Sequence, residues 1–161
     1  MVTDSNVLIN LAHINRLDLL GQLPPFSFVV PREVVREITD VAQSELVHGA
    51  IDSGLVGEVQ LDGIPELRIY AHLVRTLGSG EAACLALAES RGWLIASDEK
   101  RKFYREAMVR LGQDRIINTA GILLKAIMLN VLDVDEADDA KTLLEQRRFT
   151  MKFASFRDLL K

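Results

Sequence analysis

The chain has 161 residues, of which 48% are hydrophobic and 26% are charged, and its 19 basic and 23 acidic side chains give a formal net charge of −4. This composition is typical of one folded domain, and it argues against a protein that coats nucleic acid through bulk positive charge. The single cysteine, Cys84, cannot form an internal disulfide, and no apolar run reaches the roughly 20 residues of a membrane-spanning helix. The first residues also lack a signal-peptide pattern, so we expect a cytoplasmic protein that does not bind membranes.

Short apolar runs alternate with helical patterns along the chain. The runs that predict strands are Met1–Thr3, Phe26–Val30, Val56–Leu61, Trp93–Ser97 and Arg115–Ile117. The predicted helices are Val7–Leu20, a long helix from Arg32, Pro65–Leu77, Glu81–Ser90 (capped by Ser79 and ended by Gly92), and segments at about 99–111, 119–129 and 135–147. This alternation predicts an α/β sandwich with right-handed crossovers.

Two acids close predicted strands. Asp4 follows the first strand and Asp98 follows the fourth. In open parallel sheets, chemistry collects at the carboxyl ends of the strands. If these two strands are neighbours, the two carboxylates lie side by side, which is unfavourable unless a cation or a proton neutralises them. The alternative is that each aspartate only caps the helix that follows it.

Two further acids are predicted to face the same point. The apolar face of the helix from Arg32 consists of Val34, Val35, Ile38, Val41 and Ala42. Glu37 lies about 100° from the centre of that face, whereas Glu33 and Asp40 lie further round, so Glu37 is the acid nearest the sheet. Glu81 lies in the first turn of its helix, where the helix dipole favours a carboxylate. The alternatives are a solvated helix flank for Glu37 and simple dipole placement for Glu81.

This set of side chains favours a hard cation. Carboxylates without histidine or cysteine partners suit Mg²⁺ or Mn²⁺, which bind oxygen ligands and commonly share a substrate phosphate. The three histidines, His13, His48 and His72, do not have the spacing of a zinc site. The chemistry that such a site would serve is metal-dependent hydrolysis of a phosphodiester.

Four segments resemble the PIN-domain nucleases: Val2–Ile9, Val30–Glu37, Gly78–Ala82 and Leu94–Asp98. They are most similar to the branch that carries a Gly-x-Gly-Glu element and is related to toxins of the virulence-associated C type. The resemblance runs from residue 1 to about residue 130. It implies a three-layer α/β/α fold with a five-stranded parallel sheet, and an acidic pocket that binds Mg²⁺ or Mn²⁺ and cleaves RNA.

The resemblance also implies site residues and partners. Carried over by position, the catalytic and metal-binding acids are Asp4, Glu37, Glu81 and Asp98, with Ser5, Asn6, Asn118 and Thr119 as helpers. The implied partners are an RNA substrate, a small antitoxin protein and a second copy of the chain in a homodimer. Residues 1–132 would form the PIN-like domain, and residues 133–161 a C-terminal helical extension packed on that domain or on a partner. Only three residues precede Asp4, fewer than the family usually has, and a frayed first strand would loosen this acid.

Two basic segments are candidates for binding. The first follows Asp98, and its predicted RNA contacts are Lys100, Arg101, Lys102 and Arg105. Phe103 or Tyr104 could stack on an unpaired base there. The second runs from Arg147 to the last residue and carries Phe149, Phe153 and Phe156, which could pack on the domain, on a second copy or on a partner helix. The first segment could also be an ordinary solvated surface.

Two other functions remain open from the sequence. A catalytically silent PIN-like fold could serve as an RNA-binding or protein-docking module. A receiver-like signalling domain also gathers acids and Mg²⁺ at the end of a parallel sheet. It requires an aspartate after the third strand, which Asp62 matches, and a lysine after the fifth, but the next lysine there is Lys125 within a helix.

Overall fold

A parallel sheet forms the centre of the computed structural model, which describes residues 1–160. Its strands are β1 (Val2–Thr3), β2 (Val29–Pro31), β3 (Gly57–Val59), β4 (Ile95–Ala96) and β5 (Ile116–Ile117), in the order β3-β2-β1-β4-β5. All five predicted strands are present, each shorter than its apolar run. The helices are α1 (Ser5–His13), α2 (Leu19–Gln22), α3 (Arg32–Glu37), α4 (Val41–Asp52), α5 (Ile64–Leu73), α6 (Ser79–Arg91), α7 (Lys102–Leu111), α8 (Thr119–Met128) and α9 (Val134–Gln146). The predicted three-layer α/β/α fold is confirmed.

The first strand lies at the centre of the sheet and is bonded on both sides. The amide of Val2 donates to the carbonyl of Leu94 at 2.9 Å, and the carbonyl of Met1 accepts from the amide of Val29 at 2.9 Å. Because the strand is short but doubly paired, its end is held in place rather than frayed.

The long helices predicted near the N-terminus are each divided in two. The first ends at His13, because Asn15 takes a left-handed conformation with φ of 54° that no α-helix can continue. The helix predicted from Arg32 ends at Glu37, and Asp40 starts a new one by accepting a hydrogen bond from the amide of Gln43 at 2.9 Å. The predicted apolar face was therefore wrong in including residues of the second helix: Val41 is 72% exposed.

Helix α6 packs against the centre of the sheet. It contacts β1, β2 and β4, and its residues 82–88, mostly alanine and leucine, are fully buried. Small side chains allow this close approach. The predicted cap was wrong by one residue: Gly78 is the N-cap, and Ser79 begins the helix and bonds to the hydroxyl of Tyr70 at 2.9 Å. The predicted end at Gly92 is confirmed by its left-handed backbone, φ 68°.

An ion pair between Arg91, which is partly exposed, and Glu66, which is buried, fixes α6 to α5. The carboxylate of Glu66, 5% exposed, accepts two hydrogen bonds from the guanidinium of Arg91 and one each from the amides of Asp62 and Gly63. The guanidinium is the main reason that the pKa of Glu66 is lowered to about 2. The pair therefore stays ionised under ordinary conditions.

The C-terminal residues pack on the same body. Helix α9 contacts α1 and α8 on the face of the sheet opposite α6. Beyond it, the chain turns back, and the carboxylate of Asp138 accepts a hydrogen bond from the amide of Phe156 at 2.8 Å. The side chain of Phe156 is completely buried. Within residues 1–160, no helix is long and apolar enough to span a membrane.

Candidate active site

Asp4 follows the central strand and is almost completely buried, with 5% exposure. Its amide donates to the carbonyl of Ala96 at 3.1 Å, which continues the pairing of β1 with β4. One carboxylate oxygen caps α1 by accepting from the amide of Val7 at 3.0 Å, and the other accepts from the hydroxyl of Ser97. Asp4 therefore does cap the helix that follows it, as the alternative interpretation predicted. Its carboxylate nevertheless lies at the carboxyl end of the sheet, beside β4.

Asp98 follows β4, the neighbour of β1, so the two aspartates extend from adjacent strands as predicted. Its oxygens accept from the amide of Thr119 at 2.9 Å, from the hydroxyl of the same residue, and from the side-chain amide of Asn10 at 2.9 Å. Helices α1 and α8 therefore orient Asp98 from two sides.

A third acid, Glu99, joins this pair, although the sequence prediction did not include it. Its carboxylate accepts from the side-chain amide of Asn6, and its backbone amide donates to the hydroxyl of Ser97 at 3.1 Å. The signal in the sequence was the spacing of Asn6 and Asn10, which are one helical turn apart and therefore project from the same face of α1. Each asparagine holds one of two consecutive acids.

The acids at this point repel one another. Burial raises the pKa of Asp4 to about 7, and the charges of Asp98 and Glu99 add to that rise, while the hydrogen bonds from Ser97 and Val7 oppose it. Burial likewise raises the pKa of Glu99, and the next cause is the charge of Glu81. The crowding extends from the strand ends to α6, and positive charge placed among these groups would relieve it.

The other two predicted acids meet at the N-terminus of α6. Glu81 caps its own helix, with a carboxylate oxygen accepting from the amide of Gly78 at 2.9 Å. Glu37 reaches across from α3 and accepts from the amide of Gly80 at 2.9 Å. A side chain at position 80 would overlap the Glu37 carboxylate and lie 3.1 Å from a methyl group of Val34. The glycine is therefore required for this contact between α3 and α6.

Glu33 is a second acid that the prediction set aside. It lies one turn before Glu37 on α3, and one of its carboxylate oxygens is buried and has no hydrogen-bond partner among residues 1–160.

The thiol of Cys84 lies close to these acids. Burial is the largest cause that raises its pKa, and the charges of Asp4, Glu37, Glu33 and Glu81 raise it further. This thiol, which donates to the carbonyl of Thr3 at 3.6 Å, therefore stays protonated beneath the acids.

The four predicted helpers occupy different positions. Thr119 contacts Asp98, and Asn6 contacts Glu99. The side chain of Asn118 instead caps α8, accepting from the amide of Gly121 at 2.8 Å. Ser5 begins α1, and its hydroxyl forms no hydrogen bond with any other residue of the described chain.

Two clefts open beside Asp98, Glu99 and Lys100. The larger, here called the aromatic cleft, has a volume of about 630 Å³ and lies between the α7–β5 region and the residues that follow α9. Its lining also includes Arg101, Tyr104, Phe149, Lys152 and Phe153. The smaller, here called the arginine cleft, has a volume of about 310 Å³ and adds Asn6, Asn10, Arg147, Arg148 and again Phe149. The residues that follow α9, 147–160, are here called the C-terminal segment. This segment thus forms one wall of both clefts.

The predicted nucleic-acid contacts divide at these clefts. Lys100 and Arg101 line them, whereas Lys102 directs its ammonium to the carbonyl of Thr76 at 2.6 Å and Arg105 lies outside them. Phe103 is 2% exposed, so the suggestion that it stacks on a base was wrong, but Tyr104 is 41% exposed.

The donor chemistry at the acids fits a hard divalent cation. No group of three or more His, Cys, Asp or Glu side chains in the described part of the chain is arranged to hold a metal ion. A magnesium ion, however, commonly uses only one or two carboxylates, with water and a substrate phosphate as its other ligands. Asp4, which is buried, and Asp98, which is partly buried, supply that number. Neither carboxylate forms a salt bridge with a cation among residues 1–160, and the charge of Asp98 helps to raise the pKa of Asp4.

Comparison with known proteins supports a family assignment. A family model described as a PIN domain matches residues 1–160, nearly the whole chain. Neither the curated proteins nor the solved structures include a match to this sequence.

Proposed function

Because this chain belongs to the PIN-domain family, whose fold is a nuclease fold, we propose that it hydrolyses RNA phosphodiesters with the help of Mg²⁺ or Mn²⁺. The observation that carries the proposal is the pair of aspartates at the ends of β1 and β4. One is buried, its pKa is raised to about 7, and the charge of the other contributes to that shift. Such an arrangement is costly for stability, and metal-dependent hydrolysis gives it a use.

The residues that would hold the cation are Asp4 and Asp98, with Glu37 and Glu81 as the remaining acids of the family pattern. Glu99 adds a carboxylate that the pattern did not contain. A divalent cation bound there supplies an activated water and neutralises charge on the phosphate.

The surrounding side chains keep the two aspartates in position. The carboxylate of Asp98 accepts hydrogen bonds from Thr119 and Asn10. The carboxylate of Asp4 accepts them from the hydroxyl of Ser97 and the amide of Val7. Partners of this kind orient metal ligands and strengthen their binding. The substrate phosphate would approach from the side of the clefts, where Lys100 and Arg101 lie.

We further propose, on the resemblance to the virulence-associated C type, that the chain is the toxin of a toxin–antitoxin pair and forms a homodimer. A small antitoxin protein would then bind it and block the acids. A gene for a small protein immediately beside this one would support that role.

The decisive experiment is incubation of the purified protein with unstructured RNA in Mn²⁺, beside the variants Asp4→Asn and Asp98→Asn. We expect cleavage by the wild type and a loss of at least about a hundredfold in each variant, since even residues that only position metal ligands change activity by about 10- to 100-fold. The matched control is Asp40→Asn, an exposed helix cap on α4, which should cleave normally. Equal cleavage by all four proteins would show that a contaminant cuts the RNA.

The second candidate is the catalytically silent PIN-like module. It is favoured by the hydrogen bonds that Glu37 and Glu81 accept from the amides of Gly80 and Gly78. These bonds give both carboxylates a structural role that needs no metal ion. Absence of cleavage by the folded wild type in either Mg²⁺ or Mn²⁺ would select this candidate.

A further inference from the structure

The two clefts lie side by side next to the acids. Both are lined by Asp98, Glu99, Lys100 and Phe149, so the two clefts are neighbours that share these residues. Their combined lining brings together residues from α1, from the loop after β4, and from the segment that follows α9.

Unpaired positive charge surrounds the two clefts. Five exposed cations, Lys100, Arg101, Arg147, Arg148 and Lys152, line the clefts, and none forms a salt bridge with any residue of the described chain. Other cations do find partners: Arg32, Arg91 and Arg110 pair with glutamates. The clefts thus offer several cations to an anionic chain, next to carboxylates that a polyanion could not approach unaided.

Aromatic surface lies between these cations. The ring of Tyr104 is 41% exposed, and the half-buried ring of Phe149 lines both clefts. Exposed rings beside cations are how proteins bind single-stranded nucleic acid, because each base has a face that can stack. The volume of about 630 Å³ is within the range of pockets that enclose small ligands.

We propose that the two clefts form a subsite for an unpaired nucleotide of single-stranded RNA, next to the phosphate that is cut. Arg147 and Arg148 hold phosphates in the arginine cleft, and the base stacks on Tyr104 and Phe149 in the aromatic cleft. The position of the cut rests on the proposed function, since it is set by Asp98. The substrate-binding wall would then come from the C-terminal segment rather than from the sheet.

The occupant is a single strand because stacking on these rings requires a free base. In a duplex the bases are stacked on one another and their faces are covered, so only the phosphates would be accessible. A duplex of the same length should therefore bind more weakly, despite its higher charge.

Binding can be measured apart from cleavage. All proteins in this test carry Asp4→Asn, so that the RNA stays intact, and position 4 lies outside both clefts. Each protein is mixed in EDTA with a short fluorescein-labelled unstructured RNA. The RNA is either single-stranded or annealed to its complement. We expect Arg147→Gln/Arg148→Gln to weaken single-strand binding and to reduce the slope of log affinity against log salt by about 0.7 for each phosphate that an arginine no longer neutralises, about 1.4 for the pair. Tyr104→Ala should weaken binding about tenfold with the salt slope unchanged.

The matched control is Arg68→Gln/Arg75→Gln, which removes the same charge from exposed arginines in or just after α5, away from the clefts. It should keep nearly the wild-type salt slope. Thermal unfolding of each variant checks that the fold is intact.

The outcomes separate this proposal from the nuclease proposal. Equal salt slopes for the two double variants, absence of single-strand binding, or a duplex bound as tightly as the single strand would each overturn the subsite. Binding that depends on Arg147, Arg148 and Tyr104, together with absence of RNA cleavage in Mn²⁺ by the protein that retains Asp4, would reject the nuclease and keep the subsite.

Discussion

At the scale of single residues, Asp4 performs two tasks with one carboxylate. It caps α1 through the amide of Val7, a stabilising role for an aspartate, and it buries a charge among other acids, a destabilising one. An asparagine at this position could keep the cap without the charge. The two contributions can therefore be separated experimentally.

We predict that the folded protein without metal becomes less stable as the pH rises. The pKa of Asp4 is about 7 in the fold against 3.8 ordinarily, so the folded state retains a proton that the unfolded chain releases. Its stability thus falls between about pH 4 and about pH 7. Asp4→Asn removes this dependence and should raise the free energy of unfolding by about 2 kcal/mol near pH 8 in EDTA, with little change near pH 4.

Urea denaturation at the two pH values measures this effect. Asp40→Asn is the control, because Asp40 also caps a helix but is exposed. If the wild type and Asp4→Asn show the same pH dependence, Asp4 ionises freely in the fold and the crowding of acids is not significant.

The sequence predicted Asp4 and Asp98 because both follow recognisable strands. It did not predict Glu99, whose role depends on the alignment of α1 with the loop after β4, a relation between residues 93 positions apart. It set Glu33 aside because of its angle on the helix, whereas one carboxylate oxygen of Glu33 is buried. An angle on a single helix does not describe what packs around it. Local patterns therefore located the strand ends but not the contacts between elements.

At the scale of elements, the contact of α3 with α6 depends on Gly80. The missing side chain lets Glu37 reach the amide of residue 80, so two acids from different helices meet at one helix start. Helix dipoles favour carboxylates at such a position.

We predict that Gly80→Ala destabilises the protein by about 1–3 kcal/mol and displaces Glu37, because the new methyl group overlaps that carboxylate and crowds Val34. The control is Gly49→Ala in α4, where a side chain would meet no atom within 4 Å. That variant should gain up to about 1 kcal/mol from helix propensity.

Urea midpoints of the two variants measure the difference, and Gly80→Ala in a Glu37→Ala background should cost less than Gly80→Ala alone. A Gly80→Ala protein as stable as Gly49→Ala would show that α3 and α6 can separate without loss.

At the scale of the whole molecule, the C-terminal segment is tied to the domain by Phe156 and Asp138. The ring of Phe156 is fully buried and meets Phe153 edge to face, with centroids 4.9 Å apart. Phe149 and Phe153 also pack, partly buried, against the core that contains Phe156.

We predict that Phe156→Ala lowers the free energy of unfolding by about 3 kcal/mol and shifts the unfolding of the entire chain, because the ring joins the common core. Far-UV circular dichroism and the fluorescence of Trp93, the only tryptophan, follow the helices and the edge of β4. In Phe156→Ala both unfolding transitions should shift together. The control is Leu159→Ala, at an exposed position, which should shift neither transition much. A shift seen by circular dichroism alone would show that the C-terminal part unfolds independently.

The central position of β1 has a consequence for when the site is complete during protein synthesis. Asp4 and its hydrogen-bond partner Ser97 are 93 residues apart, and Thr119, which orients Asp98, and Arg147, Arg148 and Phe149 of the arginine cleft are made later still. A ribosome-bound chain therefore carries the first acid long before it can assemble the pocket. If the finished protein cuts RNA as proposed, the growing polypeptide would be unable to cut the messenger that encodes it.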